Sequence, residues 1–78
     1  MKSLVLYSTG GCHLCEQAME LILPLIDSRS MVIKEVDISE SDLLMERYGV
    51  RIPVLSREDN CAEIGWPFDN SDVLRFLS

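Results

Sequence analysis

The chain changes from a strand pattern to a helix pattern across one pair of glycines, and this change constrains the fold more than any other feature. Residues 3–7 are nearly all apolar, as in a strand that is covered on both faces. Gly10-Gly11 breaks that pattern, and apolar residues then recur at helical spacing up to about residue 27. A strand followed at once by a helix is typical of a βαβ unit, whose two strands are parallel neighbours. Within the helical pattern, we expect Pro24 to kink or shorten the helix.

The middle of the chain predicts a second strand and a short second helix. Residues 31–38 have the composition of a strand. The residues expected on one face of it are Val32, Val36 and Ile38. Ser39 is typical of a residue that caps the start of a helix, because its hydroxyl can accept a hydrogen bond from an unpaired amide. We expect this helix to carry Tyr48 and to end at Gly49 in the left-handed conformation.

The last part of the chain predicts a hairpin and a final helix. We expect a third strand over residues 50–55, a polar turn over residues 56–60 and a fourth strand over residues 61–64. Asn70 or Ser71 can then cap a helix that runs to the end of the chain.

The predicted order of elements is therefore βαβαββα. A right-handed crossover makes the first two strands parallel neighbours, and the short polar turn makes the last two an antiparallel hairpin. The expected fold is an α/β protein with one four-stranded mixed sheet and helices on both faces. We expect residues 1–78 to form a single domain, because shorter pieces could not bury separate cores.

Composition and charge exclude several classes of partner. A net charge of −6 makes nucleic acid or an anionic membrane surface an unfavourable partner, and 47% hydrophobic residues exclude a disordered chain. No apolar run approaches the roughly 18 residues that a membrane span needs, and no signal peptide is apparent. We expect a soluble, cytoplasmic monomer.

The chemical centre of the sequence is the segment Cys12-His13-Leu14-Cys15, where the first strand gives way to the first helix. At this junction, exposed amide hydrogens and the positive end of the helix dipole stabilise a thiolate on Cys12. Cys15 lies about one turn further along the same face, close enough to form a disulfide. This arrangement favours redox chemistry.

Other uses of the cysteine pair remain open at this point. The pair could be half of a zinc site, although the sequence offers no second Cys/His pair to complete it. It could bind copper(I), as in small copper carriers, although those carriers have two strands between their helices. It could also be purely structural.

Four segments together resemble the glutaredoxins, and more specifically the short glutaredoxin-like proteins of bacteria. These segments are the strand-turn-Cys12-x-x-Cys15-helix start, Val36-Asp37-Ile38, Tyr48-Gly49-Val50 and Arg51-Ile52-Pro53-Val54. The resemblance implies a thioredoxin fold in which Pro53 is cis and faces the cysteines. It also implies that the backbone of Ile52 offers hydrogen bonds to an extended substrate. Cys12 would be the attacking thiolate and Cys15 the resolving thiol.

The resemblance assigns further residues to the substrate site. His13 and Leu14 occupy the positions between the cysteines, where the family usually has proline and an aromatic residue. A protonated His13 would stabilise the Cys12 thiolate, and an exposed neutral histidine fits equally well. The family's glutathione site uses a Gly-Gly pair followed closely by acidic residues, of which only Gly65 and the capping region correspond here.

Four other residues have two interpretations each. Arg51 either anchors an anionic carboxylate beside the cysteines or is a solvated surface residue. Asp37 is either a strand-end residue or a base for Cys15. Trp66 forms either an apolar lip for a substrate or part of the core. Cys61 is most simply a small strand residue, or else a site of modification by glutathione or of an intermolecular disulfide.

The sequence thus predicts a small thiol–disulfide oxidoreductase that reduces protein disulfides or glutathione mixed disulfides through Cys12 and Cys15. We expect no tightly bound cofactor and no metal, with glutathione as a co-substrate. The alternative from another class is a noncatalytic binding module that kept the thioredoxin fold.

Overall fold

The computed structural model describes residues 2–77 as four strands and three α-helices joined by short loops. The elements are β1 (Lys2–Ser8), α1 (His13–Ile26), β2 (Met31–Asp37), α2 (Asp42–Tyr48), β3 (Val54–Arg57), β4 (Glu63–Gly65) and α3 (Asn70–Leu77). Two single-turn 3₁₀ segments follow α1 and β2, over Asp27–Arg29 and Ile38–Glu40. The order βαβαββα is the one that the sequence predicts.

The strands form one mixed sheet in the order β2-β1-β3-β4. β1 and β2 are parallel, with Ser8 beside Asp37 at their carboxyl ends. β3 is antiparallel to β1 and β4, so Val54 lies beside both Tyr7 and Gly65. The ends of β1, β2 and β4 and the start of β3 therefore meet at one edge of the sheet, which we call the site edge.

Helices cover both faces of the sheet because the side chains of β1 alternate between them. Leu4 and Leu6 point to one face, where they join the buried residues of α1 and α3 in the larger core cluster. Tyr7 points to the other face and packs with Ile38 and Tyr48 in a smaller cluster that α2 covers. The two-sided burial of β1 explains its nearly continuous apolar sequence.

Two predictions, about β2 and about the start of α2, are wrong. Val32 is exposed, and the residues of β2 that pack against the larger cluster are Met31 and Ile33. The cap of α2 is Ser41, whose Oγ accepts a hydrogen bond from the Leu44 amide. Ser39 is instead part of the preceding 3₁₀ turn.

Gly49 ends α2 in the right-handed conformation, with φ of −49°. The expected left-handed residue is therefore absent from this position. The Gly49 amide donates to the Met45 carbonyl, and a Cβ on Gly49 would collide with that same oxygen.

The hairpin lies later in the chain than predicted. β3 begins at Val54 because the three residues before the proline form a turn, in which Val50 is fully exposed. Arg57 belongs to β3, and the turn is confined to residues 58–60. Cys61 precedes β4 in a left-handed conformation with φ of 58°, so it is not a strand residue.

α1 ends close to the predicted residue, whereas the start of α3 differs from expectation. α1 continues past Pro24 to Ile26, because the buried residues on its inner face hold the last turn in place although the proline lacks an amide hydrogen. The cap of α3 is Asp69, whose Oδ1 accepts from the Asp72 amide while Asp72 Oδ2 accepts from the Asp69 amide. This reciprocal pair replaces the predicted caps Asn70 and Ser71.

Candidate functional site

A tight turn brings the chain from β1 to Cys12. Gly11 adopts φ of 76°, which side-chain-bearing residues rarely tolerate, and the Cys12 amide donates to the Thr9 carbonyl at 3.3 Å. Cys12 then occupies the cap position of α1 with an extended backbone. The glycine and the turn thus place the Cys12 side chain at the amino end of the helix.

The two cysteines of the predicted pair lie close together but differ in solvent exposure. Their Sγ atoms lie at disulfide-bonding distance and their Cα atoms are 5.2 Å apart, which is usual for a disulfide. Cys15 is only 2% exposed, whereas Cys12 is half-buried. The Cys12 Sγ also accepts a hydrogen bond from the Cys15 amide at 3.2 Å. An attacking reagent therefore reaches Cys12 more readily, and the same amide can stabilise a negative charge on its sulfur.

The residues between the cysteines both face solvent. The His13 side chain is exposed, and its Nδ1 lies 3.6 Å from Oε2 of the equally exposed Glu16. Leu14 is 44% exposed, so it offers an apolar contact next to Cys12. Both positions are therefore accessible from solvent beside the cysteine pair.

Pro53 and Gly65 lie at the site edge, immediately before β3 and at the end of β4. The Ile52–Pro53 peptide bond is cis, and Pro53 is buried immediately before β3. Gly65 pairs with Val54, and the Trp66 amide donates to the Pro53 carbonyl at 3.1 Å. The fold thus brings the predicted residues from three distant parts of the chain to one edge of the sheet.

The backbone beside Pro53 is partly occupied within the chain. The amides of Arg51 and Ile52 both donate to the Tyr48 carbonyl, at 2.8 and 3.2 Å. The side chain of Arg51 lies over the Tyr48 ring and 3.7 Å from the Glu63 carboxylate. In this arrangement the amide hydrogen of Ile52 is already used within the chain.

The loop after β4 carries aromatic residues that serve the core. Phe68 is buried in the larger core cluster, and Trp66 packs against that cluster and meets the Phe68 ring edge-on at 5.1 Å between centroids. Trp66 therefore anchors its loop. The Trp66–Pro67 peptide bond is also cis.

A cleft of ≈ 210 Å³ beside the Cys12 turn contains residues that the sequence interpretation missed. It is lined by Ser8, Thr9, Gly10, Glu35 and Asp37. Buried Ser8 donates its hydroxyl hydrogen to Glu35 at 2.8 Å. The signal that could have found this cleft is the expected parallel pairing of β1 and β2, because it places the carboxyl ends of both strands together.

Asp37 is the most strongly bound carboxylate of this cleft. Its Oδ1 accepts from the hydroxyl of Ser39 at 2.7 Å and from the Ser39 amide at 2.9 Å. Hydrogen bonds from the Ser39 hydroxyl and amide, and a weaker one from the Thr9 side chain, hold the pKa of Asp37 below its usual value. Asp37 is therefore ionised at neutral pH, and it contacts the turn that leads to Cys12.

The described residues 2–77 contain neither a metal-binding cluster nor a membrane-spanning helix. No three His, Cys, Asp or Glu side chains of this part of the chain are grouped so that they could hold a metal ion. Within the same residues, no helix combines the length and the apolar character that a membrane crossing requires.

A family model described as "Glutaredoxin-like domain (DUF836)" matches residues 3–78. The chain belongs to this glutaredoxin-like family. The resemblance in the sequence is thereby confirmed, and the four-stranded sheet with helices on both faces is the α/β architecture of thioredoxin-like proteins. A comparison with curated proteins gives no match.

Solved structures support the same assignment. Protein XcR50 from X. campestris is 36% identical, with a TM-score of 0.80 over 95% of this chain and 93% of that one. Protein Ne2328 from Nitrosomonas europaea is 27% identical, with a TM-score of 0.84 over 99% and 92% of the two chains. Trichomonas vaginalis thioredoxin, at 20% identity and a TM-score of 0.54 over 97% of this chain and 73% of that one, is similar in fold alone.

Proposed function

We propose that this protein is a thiol–disulfide oxidoreductase that reduces disulfides through Cys12 and Cys15. The observation that carries the proposal is the unequal pair at the start of α1, with a reachable Cys12 and a 2% exposed Cys15 at disulfide-bonding distance. A thiolate is the reactive form of cysteine, and a helix amino end favours it. Membership of the glutaredoxin-like family adds independent support.

The reaction has two steps. In the first, the Cys12 thiolate attacks one sulfur of a substrate disulfide, so that a Cys12–substrate bond forms while the substrate's S–S bond breaks and its other sulfur leaves as a thiolate. In the second, Cys15 loses its proton to solvent and attacks Cys12, and the remaining substrate sulfur leaves as a thiolate. The two cysteines lose two electrons, and the substrate gains them.

The proposed substrates are a disulfide-bearing protein or a glutathione mixed disulfide. A substrate in the extended conformation would lie along the site edge, where Leu14 offers an apolar contact and the Ile52 carbonyl an acceptor. A thiol reductant, such as glutathione, would return the Cys12–Cys15 disulfide to the dithiol. The reducing cytoplasm is the compartment in which such a cycle runs.

Single cysteine variants test the proposal. Reduced wild-type protein should reduce a peptide disulfide stoichiometrically and turn over when coupled to glutathione and glutathione reductase, or to thioredoxin reductase. Cys12→Ser should abolish both activities, because it removes the attacking sulfur. Cys15→Ser should accumulate a Cys12–substrate mixed disulfide, visible by mass spectrometry. Cys61→Ser is the matched control and should behave like wild type, because Cys61 is a free cysteine outside the site.

A second measurement separates oxidoreductase from binding module. Iodoacetamide at mildly acidic pH should alkylate Cys12 before Cys61. A wild-type pair that cycles between dithiol and disulfide, yet supports no turnover in either coupled assay, would indicate a binding module. A Cys12 no more reactive than Cys61, in a pair that never oxidises, would exclude the redox function altogether.

A further inference from the structure

Asp37 joins the two loops that leave the carboxyl ends of β1 and β2. Its carboxylate lines one cleft with Thr9, in the turn before Cys12, and accepts from both donors of Ser39, in the turn after β2. Thr9 in turn accepts the Cys12 amide through its carbonyl. Thr9 therefore borders the Asp37 cleft and also contacts the backbone of Cys12.

The described charged groups near the Cys12 turn lie on several elements. Glu35 lines the same cleft, which contains no basic side chain among its lining residues. On α1, His13 faces Glu16, and beyond α2, Arg51 faces Glu63. At the start of α3, Asp69 and Asp72 cap the helix and Arg75 pairs with Asp72.

Two opposing electrostatic effects thus meet at Cys12. The amino end of α1 and the Cys15 amide favour a negative charge on its sulfur. A carboxylate on the other side of the turn disfavours a second negative charge nearby. Because the site is only partly desolvated, the carboxylate can shift the balance without reversing it.

We propose that Asp37 is a positioning residue whose negative charge, held against Thr9, restrains formation of the Cys12 thiolate. The proposal rests on the proposed function, because it concerns the reactivity of the same thiol. Restraining the thiolate makes the reduced form less stable relative to the disulfide, and therefore makes the protein a stronger reductant. The negative charge of Asp37 thus favours transfer of electrons from this protein to substrate disulfides over oxidation of substrate dithiols.

Two variants remove the charge and keep an acceptor for Ser39. Asp37→Asn and Asp37→Ser are both good caps for the turn that follows, so the fold should survive. In each, the rate of Cys12 alkylation by iodoacetamide at pH near 6 should rise roughly threefold or more, because a larger fraction of Cys12 is ionised. The redox equilibrium against glutathione should shift toward the reduced protein by a similar factor.

Thr9→Val is the matched control for the lost hydrogen bond. It removes the Thr9 hydroxyl without changing the charge of Asp37, so its alkylation profile and redox equilibrium should stay close to those of wild type. If both Asp37 variants keep the wild-type profile and equilibrium, or if Thr9→Val reproduces their change, Asp37 is only a loop clamp and the proposal is wrong. A wild-type pair with no reversible redox chemistry would instead overturn the proposed function itself.

Discussion

Tyr48, at the end of α2, contacts β1, β4 and the segment that precedes β3. Its ring is buried and stacks on Tyr7 with 4.2 Å between centroids, and its hydroxyl donates to the Glu63 carboxylate. Its carbonyl accepts from the amides of Arg51 and Ile52, which precede Pro53. One side chain and one carbonyl thus tie α2 to β4 and to the segment that enters β3.

Replacement of Tyr48 by phenylalanine should remove one of these ties and leave the others. Tyr48→Phe keeps the stacked ring and the backbone acceptor but loses the hydrogen bond to Glu63. The expected loss is about 1–2 kcal/mol in the free energy of unfolding at neutral pH, as for a hydrogen bond to a charged acceptor. Urea denaturation measures it. Tyr48→Leu is the comparison variant and should lose more, because it also abolishes the stacking.

The same residue predicts how stability changes at alkaline pH. Burial, followed by the hydrogen bond and charge of Glu63, raises the pKa of Tyr48 above its ordinary value of about 10. A raised pKa means that folding favours the neutral phenol, so this contribution is complete below pH 10 and is lost as the pH rises above it. Between pH 9 and 11, wild type should lose stability more steeply than Tyr48→Phe. Parallel declines of the two proteins would contradict this assignment.

At the scale of elements, apolar periodicity predicts the order and the inner faces of most helices and strands. Leu4 and Leu6 on β1, and Ala18 and Ile22 on α1, are buried as their spacing predicts. Element ends are harder, because several polar residues near a boundary can each supply a cap. Which of Ser41 and Ser39 caps α2 depends on where β2 ends and the chain leaves the sheet. Tertiary packing determines that position.

The start of α3 offers a direct test of whether the observed cap or a cap predicted from the sequence stabilises the helix. Asp69→Ala should lower the free energy of unfolding by about 1 kcal/mol, within a range of roughly 0.5–2, because the Asp72 amide loses its acceptor. Ser71→Ala, at one of the two cap positions that the sequence allows, should change stability by only a few tenths of a kcal/mol because Ser71 is exposed within the helix. Chemical denaturation of both variants measures these losses in the free energy of unfolding. Equal losses would argue against the Asp69 cap.

The sequence predicts only the part of the candidate site that is formed by residues close together in the chain. The position of Cys12 at a strand–helix junction follows from the sequence, because a local pattern defines both the junction and the turn. The Asp37–Thr9 and Tyr48–Glu63 contacts join residues that are far apart in the chain, and they depend on the register of strands and helices. Arg57 shows the same limit: a residue predicted in a polar turn is buried and donates to Asp59 and to the Phe76 carbonyl.

At the scale of the whole molecule, charge distribution bears on which substrates arrive fastest. The chain carries a net charge of −6, and Glu16, Glu35 and Asp37 lie on the elements that surround the Cys12 turn. Charges of one sign around a reactive centre raise the encounter rate of oppositely charged partners, and dissolved salt screens this effect. Glutathione disulfide is itself anionic, so the long-range field of this protein opposes its approach.

Two peptide disulfides that differ only in whether lysine or glutamate flanks the cysteine test this expectation. At about 10 mM ionic strength, where the Debye length is about 30 Å, the reduced protein should react several-fold faster with the lysine peptide. At about 1 M the Debye length is about 3 Å, so the two rates should converge. Stopped-flow measurement of each second-order rate constant, normalised to the rate with the small reductant dithiothreitol, whose attacking thiolate carries a single charge, separates the protein's field from the intrinsic reactivity of each peptide. A lysine preference that persists unchanged at high salt would show that short-range contacts at the site edge, rather than the field of the molecule, select the substrate.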